Sequence, residues 1–199
     1  IAIPSMGEEE WLAVREPIEN GWLTQGPKVK QFEDLFAEMH QVKKALAVSN
    51  CTTALHLALL ACGVGEGDEV IVPAFTWVST ANAVLYCNAR PVFIDIDINT
   101  FNIDVEQLKK VVTSKTKAII PVHLYGQSAD MATIMDIARR NNLFVIEDNA
   151  QAIGADYSFP DGKGRKTGTI GTIGTTSFFP SKNLGCYGDG GALFTNDDE

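Results

Sequence analysis

The sequence predicts an α/β fold of three layers, a mostly parallel β-sheet with helices on both faces. Three observations carry this expectation. Apolar, β-branched runs alternate with helix-period patterns along the chain, the order that strand–helix–strand crossovers produce. The runs are nearly continuously apolar, as strands covered on both faces are. The chain is 199 residues long, 45% hydrophobic and 21% charged, enough to bury a substantial core in water.

In chain order, residues 1–20 read as an N-terminal helical segment set before a single domain over 21–199. Val29, Phe32, Leu35, Phe36 and Met39 share a helical stripe. "ALAVS" (45–49) is the first strand. "TTALHLALLA" (52–61) is apolar nearly all round, the pattern of a buried helix. "EVIVPA" (69–74) is the second strand, and "PAFTWVSTANAV" leads from it into a helix. "PVFIDI" (91–96) is the third. Val105, Leu108, Val111 and Val112 make a helical stripe with Asp104 as N-cap. "KAIIPVHLY" (117–125) is a strand, and Met131, Ile134, Met135 and Ala138 form a helix after Asp130. "LFVIEDN" (143–149), "TTSFF" (175–179) and "GALFTN" (191–196) complete the strands.

Charge and cysteine usage exclude several functions. A formal net charge of −9 argues against a nucleic-acid groove and an anionic membrane surface, yet leaves room for a phosphorylated small molecule at a locally positive site. Cys51, Cys62, Cys87 and Cys186 show no C-x-x-C spacing, and the histidines are His40, His56 and His123; this argues against a zinc site. Scattered cysteines read as free thiols of a reducing compartment. There is no apolar run of membrane-spanning length and no signal-peptide pattern at the N-terminus, so the expected location is cytoplasmic.

Parallel sheets of this kind bind ligands at the carboxyl ends of their strands, which directs attention to the residues just after each strand. After the first comes "SNCTTALHLAL". Its small hydroxylated residues open a helix, where free N–H groups, the dipole and the hydroxyls of Thr52 and Thr53 can hold an anion. An ordinary N-cap by Ser49 or Asn50 explains the same pattern. Trp77, after the second strand, is either a platform for a flat ring or a core residue. Glu147 and Asp148 end the fifth strand on opposite faces by period-2 alternation. Acids there are costly without a cation. Asp148 suits a protonated ring nitrogen, with Gln151 three residues on, or else closes the strand through a salt bridge or cap. Lys182 stands in "SFFPSKNLGCYGDGGAL" (177–193), an apolar and glycine-rich run. A partly desolvated amine is a nucleophile; a surface lysine lying along apolar atoms is the plainer alternative.

Each site alone is weak, but together they fit one ligand. Pyridoxal 5′-phosphate needs a helix start for its phosphate, an acid for its pyridine nitrogen, an aromatic cover and a lysine for its aldehyde. Lys182 is thereby read as the Schiff-base lysine. No G-x-x-x-x-G-K-[ST] or strand-following G-x-G-x-x-G occurs, which sets aside a P-loop or a nicotinamide enzyme.

The motifs "GWLTQGPKVKQFE", "SNCTTALHLAL", "GDEVIVPAFTWVSTANAV", "PVHLYGQ", "IEDNAQAIGA" and "SFFPSKNLGCYGDGGA" stand in the order found in the nucleotide-sugar aminotransferases, and the chain resembles this DegT-like branch of the fold-type-I pyridoxal-phosphate enzymes. The resemblance implies that residues 21–199 are the cofactor-binding large domain. Lys182 then carries the cofactor and shuttles a proton, and Asp148 keeps the ring nitrogen protonated. Gln151 approaches the ring hydroxyl, Trp77 stacks on the ring, and Ser177, Thr52 and Thr53 bind the phosphate. Cys51 stands where many relatives have glycine or another small residue. The implied reaction transfers an amino group, usually from glutamate, to a keto sugar carried on a nucleotide. Related dehydratases have histidine in place of the lysine, so Lys182 favours amino transfer. Members of this branch run to nearly twice this length, with a small C-terminal domain absent here, and work as homodimers. The isolated chain is therefore expected to be incompetent alone. A non-catalytic binding or regulatory protein on the same fold is the alternative from another class, although Lys182 and Asp148 are both retained.

Overall fold

The computed structural model describes residues 5–198; residues 1–4 of the N-terminal segment, and residue 199, lie outside them. Helix α1 (Glu8–Glu19) opens with Glu8, Glu9 and Glu10 in its first turn, where the dipole favours acids. It buries no residue. Helix α2 (Pro27–His40) starts on Pro27, whose fixed φ suits a first helical position. Its inward stripe is narrower than predicted: Phe36 and His40 are buried, whereas Leu35 and Met39 face outward.

Then follow β1 (Lys44–Val48), α3 (Cys51–Ala61), β2 (Glu69–Pro73), α4 (Ser79–Tyr86), β3 (Arg90–Ile94), α5 (Val105–Val111), β4 (Thr116–Ile119), α6 (Met131–Asn141), β5 (Phe144–Asp148), β6 (Asp156–Ser158), β7 (Gly164–Lys166), β8 (Ile173–Ser177) and β9 (Gly191–Thr195). Asn50, Asp104 and Asp130 cap the helices that follow them by accepting backbone N–H groups.

Seven strands form one sheet in the order β1-β9-β8-β5-β4-β2-β3. All run in one direction except β9, antiparallel to both β1 and β8. Strands β6 and β7 pair as a separate antiparallel ribbon. Their Gly, Asp and Lys content reads as loop, so the sequence does not announce them.

Alternation along the strands sorts side chains between the layers. Val70, Val72, Ala118 and Ile146 pack with Leu55, Leu59 and Val84 of α3 and α4. Ile71, Ile119 and Val145 pack with Leu108, Ile134 and Ile137 of α5 and α6. Phe36 of α2 meets Ala192 and Phe194 of β9, while Leu193 between them faces α3. Helices α2, α5 and α6 therefore cover one face, and α3 and α4 the other. Helix α3 is not buried all round as its composition predicts: Leu57 and Leu60 are exposed, because it forms an outer layer.

Two strand boundaries also differ from expectation. The run predicted over 117–125 is regular strand only to Ile119, with one further parallel bridge between Val122 and Asp148. Pro121 has no N–H for a ladder, His123 turns inward to Glu147, and Leu124–Gly126 forms a 3-10 turn with Tyr125 at φ 55°. The run predicted over 175–179 instead pairs from Ile173 and ends at Ser177, where Phe179 N–H folds back onto the Ser177 hydroxyl.

The topology brings strand ends together. Val48 and Ser177 both pair with Gly191, and Asp148 pairs with Thr175. Gly191 lies so near the start of α3 that a Cβ there would sit 2.5 Å from the Asn50 carbonyl carbon and 2.7 Å from the Cys51 nitrogen. Backbone cannot yield as a flexible side chain does, so Gly191→Ala is expected to destabilise the whole protein by about 2 kcal/mol. The shift in denaturation midpoint measures this; an unchanged midpoint would mean that the approach is not tight.

Candidate active site

A cavity of about 440 Å³ opens at this sheet edge, bounded by the starts of α3 and α4, the end of β5 and the loop after β8. Thr52, Trp77, Asp148, Gln151, Ser177 and Lys182 all line it. These residues come from segments as far apart as Thr52 and Lys182, and the parallel order of the strands is what gathers them.

Thr53 is placed differently from Thr52. It is not among the lining residues; its N–H and its hydroxyl both reach Asn50 Oδ1, at 2.9 and 3.0 Å. The N-cap explanation holds for Asn50. Asn50 occupies Thr53, while the first N–H groups of α3, those of Cys51 and Thr52, have no acceptor within the helix. The Thr52 hydroxyl donates to Ser79 Oγ at 3.0 Å, and Ser79 also lines the cavity. Ser177 Oγ accepts the Phe179 N–H at 3.3 Å, which leaves its own proton to donate.

The two acids at the end of β5 face opposite ways, as alternation predicts, and are compensated differently. Glu147 is fully buried and has four donors: Gly168 N–H at 2.7 Å, Ile170 N–H at 2.6 Å, Gly171 N–H at 2.5 Å and His123 Nε2 at 2.8 Å. The Ala129 N–H donates to His123 Nδ1 at 3.1 Å, so the proton of that ring sits on Nε2, pointing at Glu147. Burial pushes the Glu147 carboxyl up, but His123 and the backbone donors outweigh it and hold the group below the ordinary range.

Asp148 is 5% exposed and has two donors, Thr80 Oγ1 to Oδ2 at 2.9 Å and Ala150 N–H to Oδ1 at 3.2 Å. It makes no ion pair among the described residues, so the salt-bridge explanation falls away. Burial pushes its carboxyl up, and here the opposing hydrogen bonds do not suffice. A cation beside it would relieve that cost.

Gln151 Oε1 accepts the Tyr125 N–H at 2.8 Å, which turns the amide NH₂ of Gln151 away to serve as donor to an oxygen. Trp77 is 74% exposed at the rim, which rules out the core reading. Lys182 is half-buried, with no ion pair to its amine among the described residues.

This donor set fits pyridoxal phosphate: free helix N–H groups and hydroxyls for a phosphate, a carboxylate for a cationic nitrogen, an amide donor for the ring oxygen, and an amine. Sequence reasoning missed Thr80, Ser79, Phe179 and Asp189. The last three line the cavity, and Thr80 lies behind it, 68 residues from Asp148 in the chain. No local pattern announces such a contact. Among the described residues, no helix is long and apolar enough to cross a membrane, and the cysteines are free.

The model of the DegT/DnrJ/EryC1/StrS aminotransferase family matches residues 4–199. The chain is 48% identical over 200 residues to the GDP-perosamine synthase of Caulobacter vibrioides, covering 100% of this chain and 52% of that protein. It is 55% identical over 174 residues to a pleiotropic regulatory protein of Geobacillus stearothermophilus, covering 87% of this chain and 45% of that one. The crystal structure of an aminotransferase from Psychrobacter cryohalolentis superposes with a TM-score of 0.93 at 42% identity, over 100% of this chain and 49% of that one. The chain thus spans about half the length of the relatives it matches.

The Glu147 cage yields a stability prediction. Because its carboxyl is held below the free value, its contribution is present above the ordinary range near 4.5 and is lost as pH falls through the lower folded value. Glu147→Gln removes the charge and leaves backbone donors unmet, and is expected to cost about 3 kcal/mol at neutral pH. Denaturation of both proteins across the acid range checks this: the difference should shrink as pH drops, and a pH-independent difference would contradict it.

Proposed function

We propose, for a chain that belongs to the DegT/DnrJ/EryC1/StrS aminotransferase family, that the whole protein binds pyridoxal 5′-phosphate in this cavity and transfers an amino group to a keto sugar carried on a nucleotide. The observation that carries the reading is Asp148, a buried carboxylate short of donors, in the same cavity as the Lys182 amine. The name of the Caulobacter relative, an amino sugar on a guanine nucleotide, supports the substrate class. Glutamate as amino donor, a homodimer and a cytoplasmic location belong to the same proposal. Exposed Trp77, Tyr125 and Phe179 around the site suit a covering partner subunit.

When bound, pyridoxal phosphate supplies an electron sink for the pair left when the nitrogen-bearing carbon loses its proton. The residues divide the remaining work. Cys51 and Thr52 N–H groups, with the Ser177 hydroxyl and the Thr52 hydroxyl turned from Ser79, would hold the phosphate and fix where the ring lies. Asp148 keeps a proton on the ring nitrogen, which is what makes the ring electron-poor. Gln151 donates to the ring oxygen. Trp77 covers the ring and excludes water from one side. The Lys182 amine would anchor the aldehyde and would take and return the proton at the reacting carbon.

A second reading, regulation without catalysis, draws on the name of the Geobacillus relative. The complete donor set favours catalysis.

Borohydride reduction of the loaded whole protein, followed by peptide mapping, is expected to place the pyridoxyl group on Lys182; a label on another lysine sinks the assignment. Asp148→Asn is expected to keep the cofactor while losing about a hundredfold or more in amino transfer to keto sugar nucleotides. Near-normal turnover would refute the role of Asp148. A wild-type protein that loads the cofactor but turns over no such sugar would favour regulation.

A further inference from the structure

Thr80 carries an argument that packing does not supply. It lies in the first turn of α4, has no exposed surface, and holds its hydroxyl 2.9 Å from Asp148 Oδ2 and 3.0 Å from Thr76 Oγ1. A buried hydroxyl is costly unless bonded, and a valine would fill the same shape. A carboxylate only accepts, so the Thr80 proton is committed to Asp148. Thr76 must then donate to Thr80. The result is a one-way chain, Thr76 to Thr80 to Asp148, in which each bond polarises the next. It starts at the cavity wall, where Thr76 is a lining residue, and ends on the carboxylate from behind.

We propose that Thr80 is a positioning residue: the hydrogen bond it donates keeps Asp148 ionised and aimed, and so sets how firmly the ring nitrogen of the bound cofactor holds its proton. This rests on the function proposed above. The other groups facing Asp148 do not substitute for it. The Cys51 thiol, from the start of α3, is pushed well up by burial and by Asp148 itself, so it stays uncharged. The Lys182 amine, after β8, makes no hydrogen bond to Asp148 among the described residues and acts on it through charge alone, behind the Thr80 bond, while His123, after β4, turns its one ring proton to Glu147 on the opposite face. Glu147, on the same strand, spends its carboxylate on the opposite face.

The test uses whole protein loaded with pyridoxal phosphate isotope-labelled at the pyridine nitrogen, whose protonation nitrogen NMR reads directly against pH. Thr80→Val keeps the shape and removes the donor. Without that donor Asp148 is the better base and competes for the shared proton, so in Thr80→Val the partition of the proton between ring nitrogen and carboxylate is expected to shift about tenfold toward Asp148 and the protonated-nitrogen signal to weaken, while Thr80→Ser, which keeps the hydroxyl, should titrate with wild type. If Thr80→Val titrates with wild type, or Thr80→Ser moves as far as valine does, the proposal is overturned. If Thr80→Val does not fold, Thr76→Val tests the same chain from its other end and should move the titration in the same direction; no movement overturns the proposal. A wild-type protein that takes up no cofactor overturns the functional reading instead, and is told apart because no labelled signal appears in any variant.

Discussion

Strand β5 ends in two adjacent carboxylates that are both out of water, and the site is organised by how each is compensated. A buried carboxylate must be met by donors or by a positive charge. Glu147 is met by donors alone: three backbone N–H groups of the 168–171 segment and the His123 ring. That arrangement ties the segment before β8, and the chain leaving β4, to the strand that bears Asp148. Asp148 is met only in part. Two neighbours of the same chemistry thus separate into a fully compensated anchor and a carboxylate short of donors, because the pleat sends them to opposite faces.

The second constraint is the closeness of backbone at the sheet edge. Strand β9 runs against its neighbours, so its first residue, Gly191, meets the last residues of β1 and β8. Only a glycine lets it lie against the start of α3. The free N–H groups of α3 and the Ser177 hydroxyl then share one cavity, where a phosphate can meet both. Gly191, the last of the glycines after Lys182, is therefore required by the close approach of β9 to the start of α3.

Much of this was legible in the sequence, for identifiable reasons. The layers follow from alternation of apolar strands with helical stripes, and the opposed faces of Glu147 and Asp148 follow from the pleat. The residues after each strand converge because parallel sheets gather their carboxyl ends. What the sequence does not announce are features decided by contacts between residues. Thr80 is one more hydroxyl at a helix start until the fold sets it against Asp148. The regular ladder of β4 ends at Ile119 because Pro121 has no N–H, and only the bridge from Val122 to Asp148 continues it. The exposed leucines of α3 share their composition with core leucines, and only the position of the helix in an outer layer separates them.

The central claim is that Asp148 makes the cavity select a cationic ring. The most direct measurement compares the affinity of the whole protein for pyridoxal phosphate with its affinity for the analogue in which carbon replaces the ring nitrogen. A preference of more than about tenfold for pyridoxal phosphate, lost in Asp148→Ala, is the predicted result. Equal affinities in the wild-type protein would contradict the account, since the buried carboxylate would then be indifferent to the charge it is held to await.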